Sequence, residues 1–485
     1  MTQPVGEPVA ASGARSAGAS AVAARAEPGP GAEPAAAAWS SNLAVYLCTA
    51  GASVGLGSIW RFPYLAGTGG GSAFILIFVL ACVLVATPLL AAEFALGRAS
   101  RRSPPDAAGA VAAAAGYSPR WNAIGILGTL AAYLIFSYYT LSAAWVLAYA
   151  WKCAIGLLAA AGPQHVAALW TEFQSHPLEV AAWHAGFVAM VIVISARGLQ
   201  GGIEPANKIR APALLVLLLI LVAYSLLTGD VRRGLTFAFK PDFSAVNAQV
   251  VLSAIGQAFY ATGVGQAMMI AFGAYIERGT SLVRTSLVIT GSILLVSLLA
   301  TVMIFPLVFG YGMNPAQGPA LVFEVLPRVF TEIPGGRIIG TLFFLLLVLA
   351  ATTPSIALLE PVAAWVMPRF RVGRAQAVWI IGVTSWVLGI GSVLSFNRWS
   401  DWHPLGFIPL FAHKTVFDVL DYVSSNIMMP VGALLTSILV GWRVSKAFAR
   451  DELAETTPVA RVACVWLLRY VCPIAILAVF IATLV

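Results

Sequence analysis

Residues Gly51 to Pro63 read GASVGLGSIWRFP, with glycines at 51, 55 and 57 followed by the guanidinium of Arg61. They lie in an apolar stretch from about Leu43 to Leu65, long enough to cross a bilayer. Glycines at this density interrupt a helix, and in hydrocarbon each freed N–H or C=O costs several kcal/mol unless something satisfies it. Such a break is tolerated where it lines a buried site, so the segment is a candidate ligand site. Arg61, just beyond the break, is an ionisable group at membrane depth and needs a partner. The stretch Ile255 to Ala274, IGQAFYATGVGQAMMIAFGA, repeats the pattern, with Gly263 and Gly265 beside Ala261 and Thr262. Glycine also serves close helix packing in membranes. Two interrupted helices five spans apart favour the other reading, inverted repeats with the binding site between them. Gly51 to Gly55 also fits G-x-S-x-G, with Ser53 as a nucleophile, but that motif needs a strand, a turn and a helix, and an acid and a histidine as partners. His165, His176, His184, His403 and His413 are all expected in or beside outer loops. An enzyme is not expected.

The elements that must hold these breaks are helices. The chain of 485 residues is 60% hydrophobic and 10% charged, the composition of an all-α, multi-pass membrane protein. Apolar spans fall at about 41–66, 73–96, 122–152, 178–196, 208–228, 249–275, 284–312, 336–366, 374–395, 414–442 and 459–484. Most Lys and Arg residues, among them Arg98, Arg101, Lys208, Arg278, Arg374, Arg443 and Lys446, fall between spans on one face. The positive-inside rule makes that face cytoplasmic and puts the N-terminus inside. The net charge of +8 is thus a topology signal and calls for no nucleic-acid partner. Residues 1–37, rich in Ala, Gly and Pro, read as a disordered cytoplasmic tail without a signal peptide's apolar region. The transporter core is expected over 38–442, with repeats at about 41–228 and 249–442, and a cytoplasmic loop and eleventh helix over 443–485. Cys48, Cys82, Cys153, Cys464 and Cys472 have neither disulfide nor zinc spacing.

From Trp39 onward the chain resembles the neurotransmitter:sodium symporter family in its short bacterial form with eleven helices. The resemblance rests on GASVGLGSIWRFPYLAGTGGGSAF, Pro88 and AEFALGR in the first two helices, and Tyr138–Tyr139 in the third. Further matches are Gly202 and Pro212 entering the fifth helix, Gly256–Gln257 in the sixth, ALLEP ending at Pro361 in the eighth, and Asp418 to Asn426 in the tenth. It implies alternating-access transport of an amino acid across the cytoplasmic membrane by a monomer or homodimer. Backbone N–H groups at Leu56 and Gly57 and the Tyr139 hydroxyl would receive the substrate carboxylate. Carbonyls near Ser53, Tyr260 and Ala261 would meet its ammonium, and Ile135, Tyr260, Gly263, Gln266 and Leu358 would line its side chain. Gly55 stands where monoamine carriers of the family place an Asp, so the resemblance implies a substrate that brings its own carboxylate.

The same resemblance assigns an outer gate to Arg61 and Asp421 and an inner seal to Trp39 and Tyr275. The family's inner arginine and its acidic partner are replaced here by Ala36 and Pro368. For sodium, the first site would use the Ser53 carbonyl and Ser58, while Ala261 and Ile293 stand where side-chain oxygens are expected. A hard cation wants about six oxygens, so this site is expected to be absent or severely weakened. The second would use carbonyls of Gly51, Val54 and Ala350 with the Thr353 hydroxyl, Pro354 replacing a further hydroxyl. Chloride stays open: Gln257 and Ser297 match its ligands, whereas Phe78 and Ala261 do not. Sodium through the second site is the expected coupling; a sodium-independent or proton-linked carrier and a transport-inactive receptor are the alternatives.

Overall fold

The computed structural model describes residues 39–162, 164–314 and 321–484. The expected tail and Ala36 lie outside the described residues. The membrane elements are helices α1 (Asn42–Ser53), α2 (Gly57–Thr68), α3 (Ser72–Ser100), α4 (Pro119–Ala154), α5 (Pro177–Ser195), α6 (Leu199–Thr228) and α7 (Ala248–Thr262). They continue as α8 (Met268–Gly273), α9 (Leu282–Gly310), α10 (Gly336–Phe370), α11 (Arg374–Leu394), α12 (Val416–Arg443) and α13 (Pro458–Thr483). Among the described residues nine are unbroken helices of spanning length and apolarity, and α1 with α2 forms a tenth span bent by 55°. The remaining expected span, 249–275, appears as α7 and α8, parted by residues 263–267.

Local chemistry sets these boundaries. The Ser41 hydroxyl accepts from the Ala44 N–H at the start of α1, and the Asn247 side chain accepts from the Val250 N–H at the start of α7. α3 stops at Arg101, in the left-handed region with φ +53°. Its guanidinium donates to the carbonyls of Ala274 (2.6 Å) and Ile276 (2.7 Å), tying the end of α3 to the chain just after α8. α6 begins nine residues before the apolar span expected at 208, because Glu204 and Asn207, which hydropathy counts against a membrane helix, are buried and engaged by neighbours. Its first turn, Leu199–Ile203, is wound as a π-helix and contains Gly202 of the matched Gly/Pro pair.

α4 and α10, third and eighth in the span order, form the most extensive helix pair. α1 packs into the angle between α6, α9 and α10. One expectation needs correction: His184 does not sit beside a loop but is fully buried in α5, its Nε2 2.9 Å from the Thr140 hydroxyl of α4. Sequence position placed it near a span end; helix packing put it against α4.

Candidate functional site

At the first break the chain leaves the helix for two residues, Val54 and Gly55, and Leu56 is back in helical backbone. Gly55 is required by packing: a Cβ there would lie 2.7 Å from Pro354 Cγ and 2.9 Å from the Tyr139 hydroxyl. Nothing as large as Ala fits without a shift, and Asp less so. The Leu56 N–H, at the start of α2, donates to the Tyr139 hydroxyl on α4 (3.4 Å). At the next residue, the Gly57 carbonyl accepts from Gln257 Nε2 on α7 (2.8 Å), and a Cβ at Gly57 would press on the Tyr260 ring at 3.1 Å. The Leu56 N–H at a helix start and the Tyr139 phenol thus meet at one point, the kind of donor pair that favours an anion.

The second break is turned by three left-handed residues, Gly263 (φ +69°), Gly265 (φ +85°) and Ala267 (φ +56°). The two breaks touch, since the Ser53 hydroxyl donates to the Thr262 carbonyl (3.3 Å). That bond occupies the would-be nucleophile, and no strand exists among the described residues to form the elbow it would need. The Gly265 N–H donates to Glu93 Oε1 (2.7 Å), so a buried carboxylate on α3 holds the break in shape. Glu93 was read only as part of a motif; a lone carboxylate in a long apolar run is the signal that could have singled it out.

A cavity of about 620 Å³ adjoins the first break, with Leu56, Gly57, Tyr139 and Tyr260 in its wall. Arg61, Tyr138 and Asp421 flank it, and Trp170, Phe323, Glu324 and Phe417 line it further out. Ser53, Ile135, Ala261, Gly263, Gln266 and Leu358 are buried but lie outside its lining. The Gln266 amide instead donates to Met429 Sδ at 3.3 Å, packed beside Gly263. Arg61 and Asp421 border the same cavity without pairing. The guanidinium lies 4.2 Å over the Tyr260 ring, and Asp421 Oδ1 accepts from the hydroxyls of Tyr138 (3.0 Å) and Ser425 (3.0 Å).

Below the first break, Thr353 of α10 packs on α1, its methyl 3.0 Å from where a Cβ on Gly51 would stand. Pro354 has no N–H, so the Ala350 carbonyl one turn earlier loses its i+4 partner inside an otherwise continuous α10. Lost hydroxyl and freed carbonyl therefore arise from the same residue. The Ser58 hydroxyl is buried without a partner, and Ala261 and Ile293 carry no side-chain oxygen.

Trp39 is buried, edge-on to Phe272 (ring centroids 5.6 Å) and Tyr275 (6.5 Å). Two polar latches that sequence reasoning missed support it. Arg374 of α11 grips Glu360 of α10 through both nitrogens (2.7 and 3.1 Å), and the Tyr275 hydroxyl donates to the same carboxylate (3.3 Å). Glu204 at the start of α6 accepts from the Ser40 N–H (3.0 Å) and hydroxyl (2.6 Å), just before α1. Glu360 was in view within ALLEP, but its partner is fourteen positions on, across a helix turn-around that spacing does not reveal.

A membrane-embedded cavity bordered by two broken helices is the architecture of a carrier of small solutes and not of an enzyme. The model of the Sodium:neurotransmitter symporter family matches residues 36–167 and 164–485, and the chain belongs to that family. It is 33% identical over 448 residues to the uncharacterized sodium-dependent transporter YhdH of Bacillus subtilis, covering 91% of this chain and 96% of that protein. An uncharacterized sodium-dependent transporter of Haemophilus influenzae is 32% identical over 455 residues, covering 92% and 98%. The crystal structure of MhsT in complex with L-phenylalanine superposes with a TM-score of 0.82 at 36% identity, over 92% of this chain and 99% of that one.

Proposed function

We propose that this protein carries a neutral amino acid across the cytoplasmic membrane, N-terminus inside, driven by sodium bound at the second site alone. The observation that carries this reading is the convergence of the Leu56 N–H and the Tyr139 hydroxyl at a break where Gly55 leaves no room for a carboxylate of the protein's own. The ligand must supply the anion. The likeness to MhsT with bound L-phenylalanine supports an amino acid, and the family and its sodium-dependent members support sodium. The oxygens freed at Ala350 and kept at Gly51, Val54 and Thr353 hold the cation, and the eroded surroundings of Ser58 hold none. The form described here is open on the face opposite the basic loops. Closing it brings Arg61 off Tyr260 to Asp421, and opening the other side breaks the Glu360 and Glu204 latches.

The test is uptake of an amino-acid panel into proteoliposomes with sodium, proton and potassium gradients imposed separately. Sodium-driven uptake of a zwitterion, with no uptake of its decarboxylated amine, is expected. Tyr139→Phe should weaken substrate binding by about 1–3 kcal/mol, the range for a lost hydrogen bond to a charged group. Equal affinity for amine and parent amino acid would refute the substrate class; uptake under a proton gradient alone would replace sodium as the driver; binding without flux in any gradient would make the protein a sensor.

The outer gate has its own check. Arg61→Ala and Asp421→Ala should each cut flux far more than folded yield, and the double variant should be no worse than the worse single. Fully additive losses would exclude a direct pair.

A further inference from the structure

A second cavity, of about 170 Å³, lies behind the first. It is a crevice between the outer halves of α2, α7, α12 and α13, and Arg61 and Tyr260 line both cavities. The guanidinium stacked on the phenol ring is thus a shared boundary. The crevice's mouth is marked by exposed Gln249 and Ala482, and Gln257 lines its inner part. Its walls are mixed: Leu65, Leu252 and Val479 are aliphatic, whereas Ser253, Ser425 and Asn426 present hydroxyl and amide groups.

The Gln257 amide decides what such a space holds. The residue is 1% exposed, and its nitrogen is committed to the Gly57 carbonyl at the first break. Its carbonyl oxygen, Oε1, is buried with no hydrogen-bond partner. An orphan acceptor in a low-dielectric setting costs about 1–3 kcal/mol, and a donor that fills the space removes that cost. A roomy, polar-floored cavity beside several hydrogen-bonding groups holds water, whereas dry cavities are lined by apolar groups alone. Lipid tails would satisfy Leu252 and Val479 and leave Gln257 stranded.

We propose that this crevice is a side passage for water and small hydrated ions, reaching the first broken helix through Gln257 independently of the substrate cavity. Substrate and solvent then approach the break from opposite sides of the Arg61–Tyr260 boundary. Hydration at Gln257 persists when the larger cavity is filled, so an ion can exchange at the break while substrate is held. The passage rests on the carrier reading only for this last consequence; its accessibility is a property of the folded chain.

The experiment places a cysteine in each cavity of the full-length protein in proteoliposomes, Ser253→Cys in the crevice and Thr171→Cys in the larger cavity, which alone Thr171 lines. The five native cysteines are buried and give a low background, measured on the parent. Each variant is treated with a small, permanently charged thiosulfonate and, separately, with an uncharged lipophilic maleimide. A filling variant, Gly256→Leu, is added to each, because a Cβ at Gly256 would meet only Val479 Cγ1, at 3.9 Å, and so enters open crevice. Expected is reaction of Ser253→Cys with the charged reagent, lost on adding Gly256→Leu, while Thr171→Cys reacts equally in both backgrounds. Reaction of Ser253→Cys with the maleimide but not the charged reagent would show a lipid-filled crevice and overturn the proposal. So would charged-reagent labelling that Gly256→Leu leaves unchanged, since the water would then arrive by another path. Absence of transport in every gradient, with this labelling pattern intact, would instead count against the carrier reading alone.

Discussion

Replacing Arg374 with Ala, or Glu360 with Gln, should release the basic face of the protein. The two side chains are 11% and 1% exposed and share two hydrogen bonds, so they are screened little by solvent. Removing one member of such a pair leaves the other charged and buried, a change worth about 3–5 kcal/mol. Arg374 also donates to the Ser195 carbonyl (2.9 Å), and Glu360 accepts from Tyr275, so the latch ties α11, α5, α10 and the segment after α8 together. The natural reporter is Cys48, 1% exposed on α1 between the two latches' elements. Its alkylation by a charged reagent, located by peptide mass mapping, should be slow in the parent and fast in both single variants. The charge swap, Glu360→Arg with Arg374→Glu, should recover part of the protection. If Cys48 in the single variants is as slow as in the parent, the pair does not hold the inner side shut.

The second large effect concerns sodium. Pro354→Ala returns an N–H to position 354, which then takes the Ala350 carbonyl into the helix ladder and away from a cation. Sodium affinity should fall by about 1.5–3 kcal/mol, taking the range for a hydrogen bond to a charged group as the scale. Pro354→Ser also returns the N–H but adds a hydroxyl in its place, so affinity should stay near that of the parent. Both variants lose the ring contact with Gly55, and the difference between them therefore isolates the oxygen. Thr353→Ala should abolish the response. Sodium isotherms by calorimetry on detergent-purified protein read this without transport, and a single-site isotherm is expected. Indistinguishable isotherms for the Ala and Ser variants would remove Pro354 from the site; cooperative binding of two sodium ions would show that the surroundings of Ser58 are not empty of function.

The class of the protein and the place of its site were legible in the chain because both are written in short-range terms. Eleven apolar runs announce helices in a bilayer, and glycine clusters at 51–57 and 263–265 announce where two of them cannot continue. Resemblance carried the gates and ligands to numbered positions, and the structure sets Leu56, Gly57, Tyr139 and Tyr260 around one cavity. What spacing could not supply were contacts between residues far apart in the chain. Glu93 meets Gly265, Glu204 meets Ser40, and Glu360 meets Arg374 only because helix packing brings them together. Hydropathy even argues against Glu204 and Asn207 as membrane-helix residues, and it is their partners that reverse the argument. Gly55 was read as a gap left for a ligand; tertiary packing adds that Pro354 and Tyr139 occupy the space any side chain would need. A periodic pattern specifies which face of a helix is buried, but not which buried group waits on the neighbouring helix, and it is there that the ion pair of Glu360, the orphan acceptor of Gln257 and the seating of Arg61 on Tyr260 were decided.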